Sequence, residues 1–251
     1  MKKTLIALTL ALLPCVLHAT PADSAASAAD RMYRDGLYTE AASLYEEVIA
    51  DGYASADLYY NLGNAYYRSD RIGLAILNYE RALRIKPGMG DARDNLALAE
   101  SRTVDRIAPM PKLFVVRWVD ALCSHVAPSA WRIVWLAVLA LVCLSFVAMR
   151  LGGRRSLRKA GLITGIAALL LLAVATWLLL LSTHRYNSHS EAVVTQQSVT
   201  VKNSPEAQSA DKFVLHEGSR LMVSDSLAGW YKIAIADGTT GWCLATDIER
   251  I

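Results

Sequence analysis

Charged residues are scarce in this sequence of 251 residues. Asp, Glu, Lys and Arg make up 20% of it, against about 25% in a typical soluble domain, whereas hydrophobic residues make up 54%. This balance excludes an intrinsically disordered chain, which combines low hydrophobicity with dense charge. It also indicates that part of the chain does not face water, and the length allows one or two domains.

Motifs of the common catalytic and cofactor sites are missing as well. The sequence has no G-x-S-x-G, no G-x-x-x-x-G-K phosphate loop and no C-x-x-C pair. His216 and Glu217 begin a zinc-protease motif, but Arg220 stands where the second histidine is required. We therefore expect a protein that is not an enzyme and that holds no metal ion or cofactor.

The N-terminus has the order of a secretory signal peptide. Lys2 and Lys3 precede an apolar run, and the small residue Ala19 precedes a polar stretch. The apolar run is shorter than the about 20 residues of a bilayer span. We expect residues 1–19 to be a cleaved signal.

Two longer uncharged runs predict a transmembrane hairpin over residues 130–149 and 160–182. The alternative, two buried helices of a soluble domain, is disfavoured by the length of the second run. Short loops rich in Lys and Arg stay cytoplasmic, so the basic loop 150–159 predicts that both flanking segments lie on the outer side of the cytoplasmic membrane. Gly161 and Gly165 form a small-xxx-small pair that lets helices pack closely. The predicted topology determinants are Arg150, Arg154, Arg155, Arg158 and Lys159.

A 34-residue period marks the segment between the signal and the first span. It aligns Tyr45 with Tyr79, and it is the period of the tetratricopeptide (TPR) repeat, a helix–turn–helix unit. Residues 56–89 fit the TPR pattern best, so residues 20–106 resemble a TPR domain of about two and a half repeats. The matching positions are Tyr59, Leu62, Gly63, Tyr66, Ala75, Tyr79, Ala82 and Pro87.

The concave face of the predicted repeats is the candidate binding site, because such grooves bind peptides or helices. The third copy keeps one helix, expected at 91–106, as a cap. The flanking copies lack the Lys and Arg of a carboxylate clamp, which disfavours that mode. Ordinary solvation of a helix face remains the alternative for every candidate. These candidates are Tyr60, Asn61, Asn64, Tyr67, Arg68 and Asn95.

A proline-containing connector is predicted over residues 107–129. Within it, residues 113–126 can form an amphipathic helix with Phe114 and Trp118 on one side. The helix either lies in the outer membrane interface or packs against the last TPR helix, and the sequence leaves both positions open.

The last segment changes to short alternating strands separated by turn dipeptides such as Asp237-Gly238, a strong hairpin signal. About 60 residues of short strands at this spacing fit a small all-β barrel. The fold class is therefore a multi-domain membrane protein with TPR helices, a two-helix transmembrane hairpin and a small barrel. The predicted strands are 192–194, 199–201, 212–215, 220–223, 230–235 and 241–244.

This segment resembles the bacterial SH3 (SH3b) family through V-x-V-K-x-S-P, H-E-G-S-R-L-M-V and G-W-Y-K-I. The resemblance implies an SH3-like barrel over residues 191–251, after a linker at 183–190. Trp230 and Trp242 stand at characteristic places of the family. We interpret them as core and rim packing rather than as ligand contacts, which remain the alternative.

The order of segments is similar to the BatE proteins of the Bat aerotolerance operons. T-V-D-R-I-A-P-M-P, F-V-L-H-E-G and Y-N-L-G-N-A-Y-Y carry this resemblance. It implies partners among membrane-anchored von Willebrand A-domain Bat proteins and a MoxR-type ATPase system. The expected function is a periplasmic scaffold in aerotolerance or stress response. Peptidoglycan binding through the SH3b domain and envelope stress sensing are the alternatives.

The formal charge of +3 reflects targeting rather than a nucleic-acid partner. Seven of the 26 basic residues belong to the predicted signal and the cytoplasmic loop, which leaves 19 bases against 23 acids. The remaining segments are slightly acidic, so no nucleic acid is expected as a partner.

Overall fold

The computed structural model describes residues 21–187 and 190–251, and the predicted signal, residues 1–19, lies outside this range. The chain divides into two compact units, Met1–Ala54 and Ser55–Ile251. The expected order is confirmed at this level: helical repeats, two apolar helices and an all-β segment.

The first unit contains a helical hairpin of α1 (Pro21–Arg34) and α2 (Tyr38–Ala50). The buried Tyr45 hydroxyl donates a hydrogen bond of 2.5 Å to Asp30. Burial, together with this carboxylate, raises the pKa of Tyr45 well above its usual value. Tyr45 therefore packs between the two helices of the hairpin, and its hydroxyl group has a hydrogen-bond partner.

The second unit begins with three helices, α3 (Ala56–Arg68), α4 (Ile72–Ile85) and α5 (Gly90–Glu100). The Ser55 hydroxyl accepts a hydrogen bond of 3.1 Å from the Leu58 N–H and so caps the start of α3. α3 and α4 meet closely because Gly63 lacks a side chain: a Cβ there would lie 2.7 Å from the buried Tyr79 ring.

The helix expected at 91–106 ends earlier, at Glu100. The following residues form a turn and then an irregular segment that bonds to the C-terminal sheet. Asp105 accepts a hydrogen bond of 2.7 Å from the His216 N–H, and the Met110 N–H donates to the Ala236 carbonyl at 3.1 Å. These contacts join residues more than 100 positions apart, and local helix propensity gives no sign of them.

Two apolar helices follow a short one. α6 (Phe114–His125) packs against α8 (Arg155–Asn187), and α7 (Pro128–Leu151) runs beside α8. By length and composition α7 and α8 can each cross a membrane. Only 6% of the most apolar window of α7 and 17% of that of α8 are buried, unlike the core helices of a soluble protein.

Small residues bring α7 and α8 together as the glycine pair predicts. A Cβ on Gly161 would lie 2.8 Å from the Met149 nitrogen, so no larger side chain fits there without a shift. Trp135 donates a hydrogen bond of 2.9 Å to the Thr176 hydroxyl across the pair. The helix pair therefore has both close backbone contact and a polar link.

The helices extend further than the hydropathy pattern indicates. α8 covers half of the predicted loop 150–159 and continues through most of the predicted linker 183–190. All five basic residues of the loop are exposed around the turn between α7 and α8. The length of an uncharged run predicts the apolar part of a helix, but it does not predict how far the helix continues into charged or polar residues.

The C-terminal segment is one antiparallel sheet of seven strands, with the order β3-β2-β6-β5-β4-β1-β7. All six predicted strands are present, and β7 was missed because it has no apolar alternation. The core includes Val199, Val201, Ile233 and Cys243. The strands are β1 (Glu191–Val194), β2 (Ser198–Lys202), β3 (Asp211–His216), β4 (Arg220–Leu227), β5 (Trp230–Ala234), β6 (Thr240–Leu244) and β7 (Ile248–Arg250).

We predict that Gly63→Ala destabilises the α3–α4 hairpin by about 1–3 kcal/mol, the usual cost of overpacking. The new methyl group would meet the fixed Tyr79 ring. The measurement is thermal unfolding of the full chain in detergent, followed by far-ultraviolet circular dichroism. Gly90→Ala is the control, because it adds the same methyl group to a helix where no atom lies within 4 Å. Equal unfolding temperatures for both variants would contradict the packing argument.

Candidate binding face and the helix–sheet junction

Three of the predicted groove residues form a hydrogen-bonded network on α3 and α5. The Asn64 Oδ1 atom accepts hydrogen bonds of 2.8 Å from the Tyr79 hydroxyl and 2.8 Å from the Asn95 Nδ2 atom. The same Asn95 amide lies 3.3 Å from the Tyr60 hydroxyl. Because its oxygen already has two donors, Asn64 positions its neighbours rather than offering that oxygen to a ligand.

The other groove candidates lie on α3. Asn61 is half-buried and Arg68 is exposed. With Tyr60 and Asn64 they occupy one stripe of the helix, since these positions fall within about a third of a turn of each other. The structure therefore places four of the six predicted residues on one polar helix face.

Tyr67 lies beside a residue that the sequence analysis missed. The Arg102 guanidinium is 5.3 Å from the centre of the Tyr67 ring, and it forms an ion pair of 2.5 Å with Asp70. Both partners of this ion pair are largely exposed, so it contributes little to stability. Its effect is local: it holds a cation over an aromatic ring at the end of the polar face.

Trp230 and Trp242 lie on the outer face of the sheet. Both are half-buried, on the neighbouring strands β5 and β6. Strand residues alternate between the two faces of a sheet. Ile233 on β5 and Cys243 on β6 point to the face that forms the buried core, so the two tryptophans belong to the other face. Lys232 is the direct cross-strand partner of Trp242, so the two indoles and an amine share one exposed side.

The sheet and the TPR-like helices meet without side chains between their backbones. A Cβ on Gly73 of α4 would lie 2.7 Å from the Val194 carbonyl oxygen and 3.0 Å from the Gly218 nitrogen. A Cβ on Gly218, whose φ is +82°, would lie 2.9 Å from the Ile76 side chain. Both positions therefore require glycine for α4 to reach β1.

A charged cluster surrounds this contact. Arg220 at the start of β4 forms an ion pair of 2.6 Å with Glu80 on α4 and a second ion pair with Glu100 on α5. The Glu80 side chain is only 16% exposed. Burial raises the pKa of Glu80, and the Arg220 charge opposes that rise.

Asp105 forms the second polar contact of the junction. Its carboxylate accepts hydrogen bonds from the His216 N–H at 2.7 Å and from the Ser219 hydroxyl at 2.6 Å, and it lies 2.8 Å from His216 Nδ1. Desolvation alone would raise the pKa of Asp105, but the bonds from Ser219 and His216 outweigh it and keep the pKa below its usual value. His216, the residue that opens the incomplete zinc motif, is thus a partner of Asp105.

A cavity of about 340 Å³ lies next to this junction. Helix α4, the end of α6, the end of α8 and strands β1 and β4 all contribute to its wall. It contains charges of both signs, and its polar lining includes Glu80, Arg84, Arg93, Glu191 and Arg220.

Residues 56–89 match the family model of the tetratricopeptide repeat. The match covers α3, α4 and the turn that follows α4. The polar face around Asn64 lies within it, on α3. Such repeats are protein–protein interaction modules, so a protein partner is indicated in general terms. No curated protein matches the chain.

We predict that Arg220→Met destabilises the junction by about 1–3 kcal/mol at neutral pH, because it leaves a buried carboxylate without its cation. A carboxyl group with a raised pKa costs stability as pH rises, since the folded state prefers its protonated form. The deficit should therefore shrink as pH falls towards 4.5, the ordinary pKa of this side chain.

Urea titration of the full chain in detergent, followed by tryptophan fluorescence at several pH values, measures this effect. The double variant Glu80→Gln/Arg220→Met is the control, because it removes the buried charge and should recover most of the loss. A deficit that is equal at all pH values would contradict the role assigned to Glu80.

Proposed function

We propose that this protein is a membrane-anchored adaptor on the periplasmic side of the bacterial inner membrane. Its TPR repeat at residues 56–89, called the TPR unit below, binds a protein partner. The observation that carries the proposal is the TPR match at residues 56–89, in the same compact unit as two helices able to span a membrane. An interaction module on a membrane hairpin has the arrangement of an adaptor.

The proposed orientation rests on the distribution of charge around α7 and α8. The turn between them carries five exposed basic residues, and short basic loops stay in the cytoplasm. The apolar side chains of both helices are largely exposed, as lipid-facing residues are. The TPR unit and the sheet then lie together in the periplasm.

Helix α6 fits the interface on the periplasmic side of the inner membrane better than a position packed against the last TPR helix. It packs against α8, while Phe114 and Trp118 remain 72% and 76% exposed. Tryptophan and phenylalanine are favoured where acyl chains meet headgroups. Of the two positions left open by the sequence, this arrangement supports the one at the membrane.

The resemblance to the BatE proteins suggests which partner the TPR unit binds. It implies membrane-anchored von Willebrand A-domain Bat proteins, acting with a MoxR-type ATPase system in aerotolerance or stress response. The C-terminal sheet resembles an SH3b domain, and its half-buried pair Trp230 and Trp242 on one side of the sheet favours peptidoglycan as a second ligand. Cell-wall binding is therefore the second candidate function.

We predict that a reporter fused after Asn187 is active only if it functions in the periplasm. An alkaline phosphatase fusion should be active there, and a green fluorescent protein fusion should be dark. Fusions in the turn at Gly153 provide the matched control and should give the opposite pair of results. Activity of the fluorescent fusion at Asn187 would overturn the proposed topology.

We predict that Asn61→Ala/Arg68→Ala reduces recovery of a crosslinked partner from intact membranes about fivefold or more, the effect of losing about 1 kcal/mol of contact. These side chains lie on the polar face of α3, and Asn64 is left unchanged because it holds the internal network. Crosslinked material is quantified by immunoblotting and identified by mass spectrometry.

The control for this experiment is Arg71→Ala, an exposed substitution in the turn between α3 and α4. Equal recovery from the double variant and the control would exclude this face as the binding site. Sedimentation with purified cell wall, lost in Trp230→Ala/Trp242→Ala, would instead favour the second candidate function.

A further inference from the structure

A second cavity, of about 350 Å³, lies where α7 begins and α8 ends, beside the C-terminal end of α4. We call it the hairpin-mouth cavity. Three helices that are distant in sequence supply its wall. The lining residues are Arg84 and Ile85 of α4, Ala127, Pro128, Ser129 and Arg132 around the start of α7, and Thr183 and Tyr186 of α8.

The lining of the hairpin-mouth cavity is basic and rich in hydrogen-bond donors. Among the residues whose side chains the structure describes, the charged ones in this lining are Arg84 and Arg132, and Ser129, Thr183 and Tyr186 add three hydroxyl groups. The neighbouring cavity of about 340 Å³, which shares Arg84, Pro128 and Tyr186 with it, differs because the carboxylates Glu80 and Glu191 also line it. Guanidinium groups bind phosphate oxygens through paired N–H donors, so this lining suits a phosphate.

The two arginines differ in how they are held. Arg84 donates a hydrogen bond of 2.6 Å to a main-chain oxygen of Ile251 and another to the Tyr186 carbonyl, and it lies 5.7 Å from the centre of the Tyr186 ring. These contacts fix its position at the wall. Arg132 is exposed, and no carboxylate among residues 21–187 and 190–251 forms an ion pair with it.

The start of α7 adds little to this site. Its N-cap is Ala127 and its first residue is Pro128, which has no N–H group. The Ala130 and Trp131 N–H groups already donate to the Ala127 carbonyl. The two arginines and the hydroxyl groups therefore define the chemistry of the cavity.

The position of the cavity along the spans identifies the source of the phosphate. Arg132 immediately precedes the uncharged run of α7, and Thr183 immediately follows the uncharged run of α8. If these helices cross a bilayer, as proposed above, the cavity lies at the level of the lipid phosphates on the outer side. We propose that the hairpin-mouth cavity binds the phosphodiester of an anionic membrane phospholipid.

A bound lipid would join three helices through one group. Arg84 would approach the phosphate from α4, Arg132 from α7, and Thr183 would supply a hydroxyl from α8. The TPR repeat at residues 56–89 would thereby be tethered to the membrane surface at the C-terminal end of α4.

The test uses the full chain purified in a mild detergent and native mass spectrometry, with phosphatidylglycerol or phosphatidylcholine added. We expect one phosphatidylglycerol to be retained and phosphatidylcholine to be retained about tenfold less. Arg132→Gln should lower phosphatidylglycerol retention about tenfold, and Arg132→Lys should keep part of it. Arg154→Gln is the matched control, because it removes a basic residue at the other end of the hairpin.

Three outcomes would overturn the proposal. They are unchanged lipid retention in Arg132→Gln, equal retention of the two lipids, and displacement of the lipid by millimolar inorganic phosphate, which would assign the site to the free anion. The reporter fusions after Asn187 test membrane insertion separately. A failure of the lipid site with correct insertion is thus distinguished from a failure of the proposed function.

Discussion

The close approach of α4 to β1 is the constraint on which the rest of the second unit depends. Gly73 and Gly218 leave no room for side chains, so a helix backbone lies directly against the backbone of the sheet. This contact sets where Arg220 meets Glu80, and it leads the chain after α5 along the sheet, where Asp105 reaches His216. Two modules that the sequence separates by the apolar helices therefore belong to one compact unit.

The two carboxylates of the junction respond to acid in opposite directions. Glu80 has a raised pKa, so its protonation on acidification favours the folded state. Asp105 has a lowered pKa, so the stability it contributes is present above about 3.8 and is lost as pH falls through its folded value. Acidification therefore relieves the cost of the buried Glu80 charge and removes the contribution of Asp105.

Local patterns predicted much of the fold, and long-range pairing accounts for what they missed. The TPR spacing places Gly63 against Tyr79, and alternation locates six strands, because each depends on residues a few positions apart. The early end of α5 depends on Asp105, whose partners lie 111 and 114 positions away. In the candidate site, the amides on α3 and α5 were predictable from the repeat. The two hydrogen bonds that the Asn64 oxygen accepts from Tyr79 and Asn95 were not, because they depend on how three helices pack.

Helix α8 continues without a break from the basic turn to Asn187, and only three residues separate it from β1. Its 33 residues span about 50 Å at ~1.5 Å per residue, against about 30 Å of hydrocarbon in a bilayer. In the proposed membrane orientation, α8 would therefore extend beyond the hydrocarbon as a stiff, continuous helix that ends close to the sheet. A tilt of α8 in the bilayer would then move the sheet and the attached repeat together, without any change in their own fold.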